Sequence, residues 1–150
     1  MDNTFTSIAK SLRTLGIIGP IVFTGSAALK AYKLLDREIA DIDIILIKNN
    51  KNTEIISALE ELFGLDKSKS SNNHTALYYK NIHLDIALKD DNEPIEYYAV
   101  KQRDYGITTP KHIITTKIKY NREKDREDIQ NIKLNALNKL ISNGCIRHFI

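Results

Sequence analysis

Apolar side chains recur at two spacings along this chain, and each change of spacing marks a new element. Ile8, Leu12 and Leu15 stand three and four apart, which predicts a helix over 4–15 with Thr4 or Thr6 as its cap. Gly16, Gly19 and Pro20 break it, and the β-branched run Ile21–Thr24 reads as a short strand. Gly25-Ser26 then opens a helix predicted over Ala27–Leu35. Ile42–Ile47 reads as a second strand, and Thr53 as the cap of a helix holding Ile55, Ile56, Leu59 and Leu62. The polar stretch 66–74 predicts a surface loop. Thr75–Tyr79 and Ile82–Leu88 form a predicted hairpin around Lys80-Asn81, and Ile95–Lys101 a predicted last strand. Thr109-Pro110 places a cap before a proline at the first helical position, so a helix runs from there to about Tyr120. A final helix is predicted from Lys124 to Ser142, with Ile129, Ile132, Leu137, Leu140 and Ile141 as its buried stripe. The class is α+β: a short mixed sheet, helices packed against it, and two C-terminal helices.

The composition is ordinary for a globular protein: 150 residues, 42% hydrophobic and 27% charged, which predicts one domain over 1–150. Cys145 is the sole cysteine, so no internal disulfide can form, and a lone thiol fits a reducing compartment. The start carries an acid and no basic n-region, unlike a secretory signal, and no apolar run is long enough to cross a bilayer. A cytoplasmic, membrane-free protein is expected. Charge is uneven. Residues 1–100 hold 11 Lys+Arg and 14 Asp+Glu, whereas residues 101–150 hold 11 and 5. A solvated lysine-rich surface explains this imbalance, and so does a cleft with acids and bases on opposite sides that holds a metal and a polyanion together.

Three features bear on that choice. Phe23-Thr24-Gly25-Ser26 joins a strand to a helix, where a glycine lets backbone approach a ligand and helix-start amides suit a phosphate. Asp41-Ile42-Asp43 opens a strand, so both carboxylates project from one face while Ile42, Ile44 and Leu46 enter the core. Asp85 interrupts the strand Ile82–Leu88, whose Ile82, Leu84, Ile86 and Leu88 share the other face. A charge in such a strand is costly unless it is paired, metal-bound or facing a cleft. Three carboxylates on neighbouring strands form a hard oxygen site, for which magnesium is the natural ion.

In this order, Gly25-Ser26, fourteen residues, Asp41-Ile42-Asp43 and then Asp85 resemble the nucleotidyltransferase superfamily of the DNA polymerase beta type. Lys117-Ile118-Lys119, followed by Arg122 to Ile129, resembles the basic-and-acidic helical motif of its bacterial members, among them minimal and abortive-infection toxin-like nucleotidyltransferases. The resemblance covers roughly residues 20–132 and implies a nucleotidyltransferase-like palm. It implies magnesium-dependent (or manganese-dependent) transfer of a nucleoside monophosphate from a nucleoside triphosphate such as ATP to an acceptor hydroxyl, with release of pyrophosphate. Asp41, Asp43 and Asp85 would ligate metal, and Asp85 would also help deprotonate the acceptor. Gly25, Ser26, Lys117, Arg122, Lys124 and Asp125 would bind the nucleotide.

Each assignment has a plainer counterpart. Ser26 can be a helix cap, and Lys117 a solvated lysine at the rim of an amphipathic helix beside Ile113, Ile114 and Ile118. Arg122, Lys124, Asp125 and Asp128 can be i,i+3 and i,i+4 ion pairs, the reading preferred for Asp128. His83 shares a face with Asp85 and reads as a satisfied sheet histidine; His74, His112 and His148 lack zinc-like spacing. A P-loop and a serine-hydrolase elbow are both absent from the sequence. The acceptor class stays open among protein, RNA and small molecule. An antitoxin is a possible kind of partner, and the alternative function is a nucleotide-binding or toxin–antitoxin module of the same fold that transfers nothing.

Overall fold

A computed structural model describes residues 2–63, 74–79, 81–100 and 102–142. The elements are α1 (Asp2–Leu15), β1 (Ile21–Thr24), α2 (Gly25–Ala31), β2 (Asp41–Ile47), α3 (Asn50–Phe63), β3 (His74–Tyr79), β4 (Ile82–Lys89), β5 (Tyr97–Ala99), β6 (Gly106–Thr108), α4 (Pro110–Tyr120) and α5 (Glu123–Ser142). The strands form one sheet in the order β3-β4-β2-β1-β6-β5. It is mixed: β1 runs antiparallel to β2 but parallel to β6, and β2 runs parallel to β4.

Alternation sorts the two faces of the sheet. Ile21, Phe23, Ile42, Ile44, Leu46, Leu84, Ile86 and Leu88 point to one face and pack with Phe5, Ile8 and Leu12 of α1 and Ile56 of α3. Phe5 stacks on Phe23 with ring centroids 4.1 Å apart, and Tyr105 meets both edge-on. The opposite face carries Asp41, Asp43 and Asp85. A second, smaller core joins α2, α4 and α5 through Ala28, Leu29, Ile113 and Ile132.

Several boundaries differ from the expected ones, each for a local reason. α1 starts at Asp2, so neither Thr4 nor Thr6 caps it, and Leu15 is exposed while Phe5 takes a core position. α2 stops at Ala31, short of Leu35, because Lys33 turns to a φ of 62°. α3 begins before Thr53, with Asn49 Oδ1 accepting from the Asn52 amide at 2.8 Å. The buried Asn52 side chain then donates to the carbonyls of Ile18 and Ile47 and accepts from the Ile18 amide, fastening the α1–β1 loop to the end of β2. The hairpin β3–β4 forms as expected, with Asn81 at a φ of 70°. Lys80 and residues 66–73 of the expected loop lie outside the described residues, whereas His74 belongs to β3. The expected last strand contracts to β5, and β6 is an additional strand beside β1. α4 begins as anticipated: Thr109 Oγ1 accepts from the His112 amide at 3.1 Å, with Pro110 in the first turn. In α5 the anticipated stripe holds only at its start. Ile132 is buried, but Leu137 and Leu140 are each 43% exposed.

Candidate active site

The exposed face of β1, β2 and β4 forms one wall of a cleft of about 630 Å³, and α4 with the start of α5 forms the other. Gly25, Ser26, Asp41, Asp43, Asp85, Lys117, Arg122, Lys124 and Asp125 all border it. His74, Lys89, His112, Lys119 and Tyr120 border it as well.

The sheet wall is set by register. Asp43 pairs laterally with Asp85 on the parallel strand β4 and with Thr24 on β1. Asp41 pairs with His83. Gly25 sits at a φ of 70°, a left-handed conformation, and a Cβ added there would run into the Asp43 carboxylate. Both facts restrict the position to glycine and bring bare backbone against the acid. Burial, and next the charges of Asp85 and Asp41, push the Asp43 carboxyl up to about 6, while His74 and Lys117 offset part of that rise.

The outer carboxylates each have a histidine. His74 Nδ1 lies 2.7 Å from Asp85 Oδ1, and this hydrogen bond raises the His74 pKa. His83 Nδ1 lies 2.8 Å from Asp41 Oδ1, but without hydrogen-bond geometry, so this buried nitrogen has no hydrogen-bond partner. His83 is therefore not the satisfied sheet histidine expected from the sequence. Among the described residues, no three His, Cys, Asp or Glu side chains converge as the ligands of an ion would. Asp41 and Asp85 lean toward their histidines instead.

A divalent ion fits the donor set by its chemistry. The acids are hard oxygen ligands, and the raised Asp43 carboxyl marks negative charge that the protein itself leaves poorly compensated. Ligation by all three would require Asp41 and Asp85 to turn from their histidines.

The helix wall is an interlocked ion cluster. Lys117 is not solvated at the rim: it is 7% exposed, one turn after Ile113 on the buried face, while Ile118 is 62% exposed. Its Nζ lies 2.8 Å from Asp128 Oδ2, 3.6 Å from Asp125 Oδ1 and 3.1 Å from Ser26 Oγ. Asp125 lies with Glu123 in the first turn of α5 and accepts from the Arg122 amide and guanidinium. The Arg122 hydrogen bond holds the Asp125 carboxyl below its ordinary range. Arg122 also lies 5.7 Å over the Tyr120 ring. Asp128 is the hub. Burial alone would raise its pKa, but hydrogen bonds from Arg37 and Lys117, with their charges, hold it down to about 2. Lys124 is exposed.

Ser26 is drawn into this cluster. Its hydroxyl accepts from Arg37 at 3.0 Å and from Lys117 at 3.1 Å, and donates toward Asp128 Oδ2 at 3.4 Å. It caps no helix: α2 has Thr24 at its N-cap, without a side-chain cap bond. From the sequence Arg37 offered only a base near Asp41 and Asp43, to which they would be salt-bridged if structural; the structure pairs it with Asp128 instead. Arg37 lies in the loop before β2, outside every motif and four residues before Asp41.

No family model and no curated protein matches the chain. Among solved structures it resembles ANT(2″)-Ia, an aminoglycoside nucleotidyltransferase crystallised in complex with adenylyl-2″-tobramycin, with a TM-score of 0.53 and 14% identity over 89% of this chain and 84% of that one. JHP933 from Helicobacter pylori gives a TM-score of 0.42 and 18% identity over 78% of this chain and 55% of that one. The same values of TM-score and identity are found for a candidate nucleotidyltransferase from H. pylori. The first likeness shows that the chain has a nucleotidyltransferase-like fold: a mixed sheet under helices, closed by two C-terminal helices.

Proposed function

We propose that this chain is a nucleotidyltransferase that moves a nucleoside monophosphate from a nucleoside triphosphate to an acceptor hydroxyl. One observation carries the reading: Asp43 and Asp85 lie side by side in register, with the bare backbone of Gly25 against Asp43, across a cleft from a buried lysine. That arrangement suits a reaction in which phosphates must be held between anions and cations and little covalent work is asked of the protein. The acceptor oxygen forms a bond to the α-phosphorus as the bond from that phosphorus to the bridging oxygen breaks. Pyrophosphate carries away the bond's electrons, and the acceptor proton passes to Asp85.

Asp41, Asp43 and Asp85 would hold magnesium (or manganese), which would supply positive charge to the phosphate oxygens. Lys117 would add charge from the opposite wall, and Arg122 and Lys124 would line the nucleotide's path. The complex of ANT(2″)-Ia with adenylyl-2″-tobramycin is an instance of this fold holding an adenylylated compound, which supports the reading.

The alternative is a nucleotide-binding or toxin–antitoxin module of the same fold. The pairing of Asp85 with His74 and the approach of His83 to Asp41 favour it, since ligation by all three acids would require both Asp41 and Asp85 to turn. Incubation with each labelled nucleoside triphosphate, magnesium and a cell extract separates the two. Label transferred to protein, RNA or a small molecule, and lost in Asp43→Asn, supports the transferase. Triphosphate binding without transfer in any extract supports the module.

A further inference from the structure

The transferase reading leaves one strong interaction without a task. Arg37 reaches across 91 residues of sequence to α5: its Nε lies 2.6 Å from Asp128 Oδ1 and its Nη2 2.9 Å from Asp128 Oδ2. The same Nη2 lies 3.0 Å from Ser26 Oγ, and Nη1 holds the Glu38 carbonyl at 3.0 Å. This is a bidentate fork on a carboxylate that is 1% exposed, not a loose surface pair.

Charge balance gives the fork its meaning. The cluster contains three cations (Arg37, Lys117, Arg122) and two carboxylates (Asp125, Asp128). Arg122 engages Asp125 and Arg37 engages Asp128, so one positive charge is in excess. Lys117, 2.8 Å from Asp128 and 3.6 Å from Asp125, shares in both pairs, so the excess is spread over the cluster, and Lys117 is its buried cation on the cleft border. Without Arg37, Asp128 and Lys117 would be left to neutralise each other, and Ser26 Oγ would lose one of its two donors.

We infer that Arg37 is a positioning residue for transfer: by sharing Asp128 with Lys117 it leaves the cluster one net positive charge, carried to the cleft border by the Lys117 ammonium, for the phosphates of the triphosphate. The inference rests on the transferase reading for the identity of the substrate, but a chain of phosphates can be bound without turnover. Arg37 touches no reacting atom and acts through Asp128 and Lys117.

The test is calorimetry of inorganic tripolyphosphate, at fixed magnesium, with the full chain as wild type, Arg37→Ala, Arg37→Lys, Asp128→Asn and Arg37→Ala/Asp128→Asn. Triphosphate KM and kcat and the melting temperature of each variant are measured alongside. Arg37→Ala should weaken tripolyphosphate binding and raise KM by about tenfold, the effect of neutralising one nearby charge, with a much smaller change in kcat. Arg37→Lys should recover part of the loss, since an ammonium restores charge but not the fork. The double variant removes the anion that Arg37 neutralises and should recover most of it. A plain strut predicts the reverse, with the double variant no better than Arg37→Ala. That result, or an Arg37→Ala variant that binds as tightly as wild type, overturns the inference. If Arg37→Ala fails to fold, the double variant is set against Asp128→Asn: once Asp128 is neutral, removing Arg37 should change tripolyphosphate binding little, and about a tenfold loss there overturns the inference. Wild type that binds tripolyphosphate but labels no acceptor defeats the transferase reading while the Arg37 series still reports. Wild type that binds no tripolyphosphate overturns both.

Discussion

The two walls of the cleft hold carboxylates in opposite states. On the sheet, Asp43 is crowded by burial and by two other acids and rises to about 6. On the helices, burial works to raise Asp128 in the same way, yet Arg37 and Lys117 hold it down to about 2. Burial is common to both; the company differs. A paired acid supports the fold that surrounds it, while a crowded one strains it, and proteins keep crowded charge where a ligand will relieve it. On the proposed reading the sheet wall is where a bound cation would relieve charge, and the helix wall is the frame that faces it.

The sharpest way to break this contrast is Asp43→Asn. Transfer should fall by about 10²–10⁴-fold, while the melting temperature stays level or rises, because the substitution removes like-charge repulsion. A clear fall in melting temperature would mean that Asp43 is structural. The opposite pattern belongs to Asp128→Asn, which leaves Arg37 and Lys117 over a neutral amide and should cost about 3 kcal/mol at pH 7 by denaturant unfolding. Gly25→Ala should cost about 1–3 kcal/mol, from a strained φ and a Cβ pressed on the Asp43 carboxylate, and should reduce transfer as well.

The pH dependence sharpens the same contrast, and the signs differ. The Asp43 carboxyl, raised from 3.8 to about 6, stays protonated longer in the folded state. Its ionisation therefore costs stability progressively as pH rises from about 4 to 6, and wild type should fall relative to Asp43→Asn across that window. The Asp128 carboxyl is depressed from 3.8 to about 2, so its contribution is complete above about 4 and disappears as pH falls toward 2. The gap between wild type and Asp128→Asn should close there. The smallest effect is reserved for Lys119→Ala, whose side chain borders the cleft but is exposed to solvent: triphosphate binding should weaken by less than half as much, on a logarithmic scale, as in Lys117→Ala, by calorimetry. Equal losses would mean that only diffuse charge matters.

What the sequence disclosed follows from distance along the chain. The alternation around Asp41, Asp43 and Asp85 is a property of single strands, and it placed all three acids on one face. The Thr109-Pro110 start of α4 is equally local. β6 went unseen because Gly106–Thr108 is three residues long and becomes a strand only by lying beside β1. The Lys117–Ser26, Arg37–Asp128 and Ser26–Asp128 contacts join residues 91, 91 and 102 positions apart, where no periodicity reaches. Lys117 misled for a further reason: its helical position matches Ile113, but a lysine on a buried face becomes intelligible only when its carboxylates are known.

The strand order also fixes when each half of the site can exist as the chain leaves the ribosome. β1, β2, β3 and β4 are complete by residue 89, so the whole acidic wall can assemble before any cationic wall has been synthesised. Lys117, Asp125 and Asp128 are synthesised afterwards and close on Ser26 of α2 and Arg37 of the loop before β2, a long-range closure of the kind that slows folding. The acids are thus encoded ahead of their counter-wall, and only the docking of α4 and α5 makes the cleft whole. Cleavage in the Asn121–Arg122 connection and loss of α5 would remove Asp125 and Asp128 and leave Lys117 and Arg37 without the carboxylates that hold them.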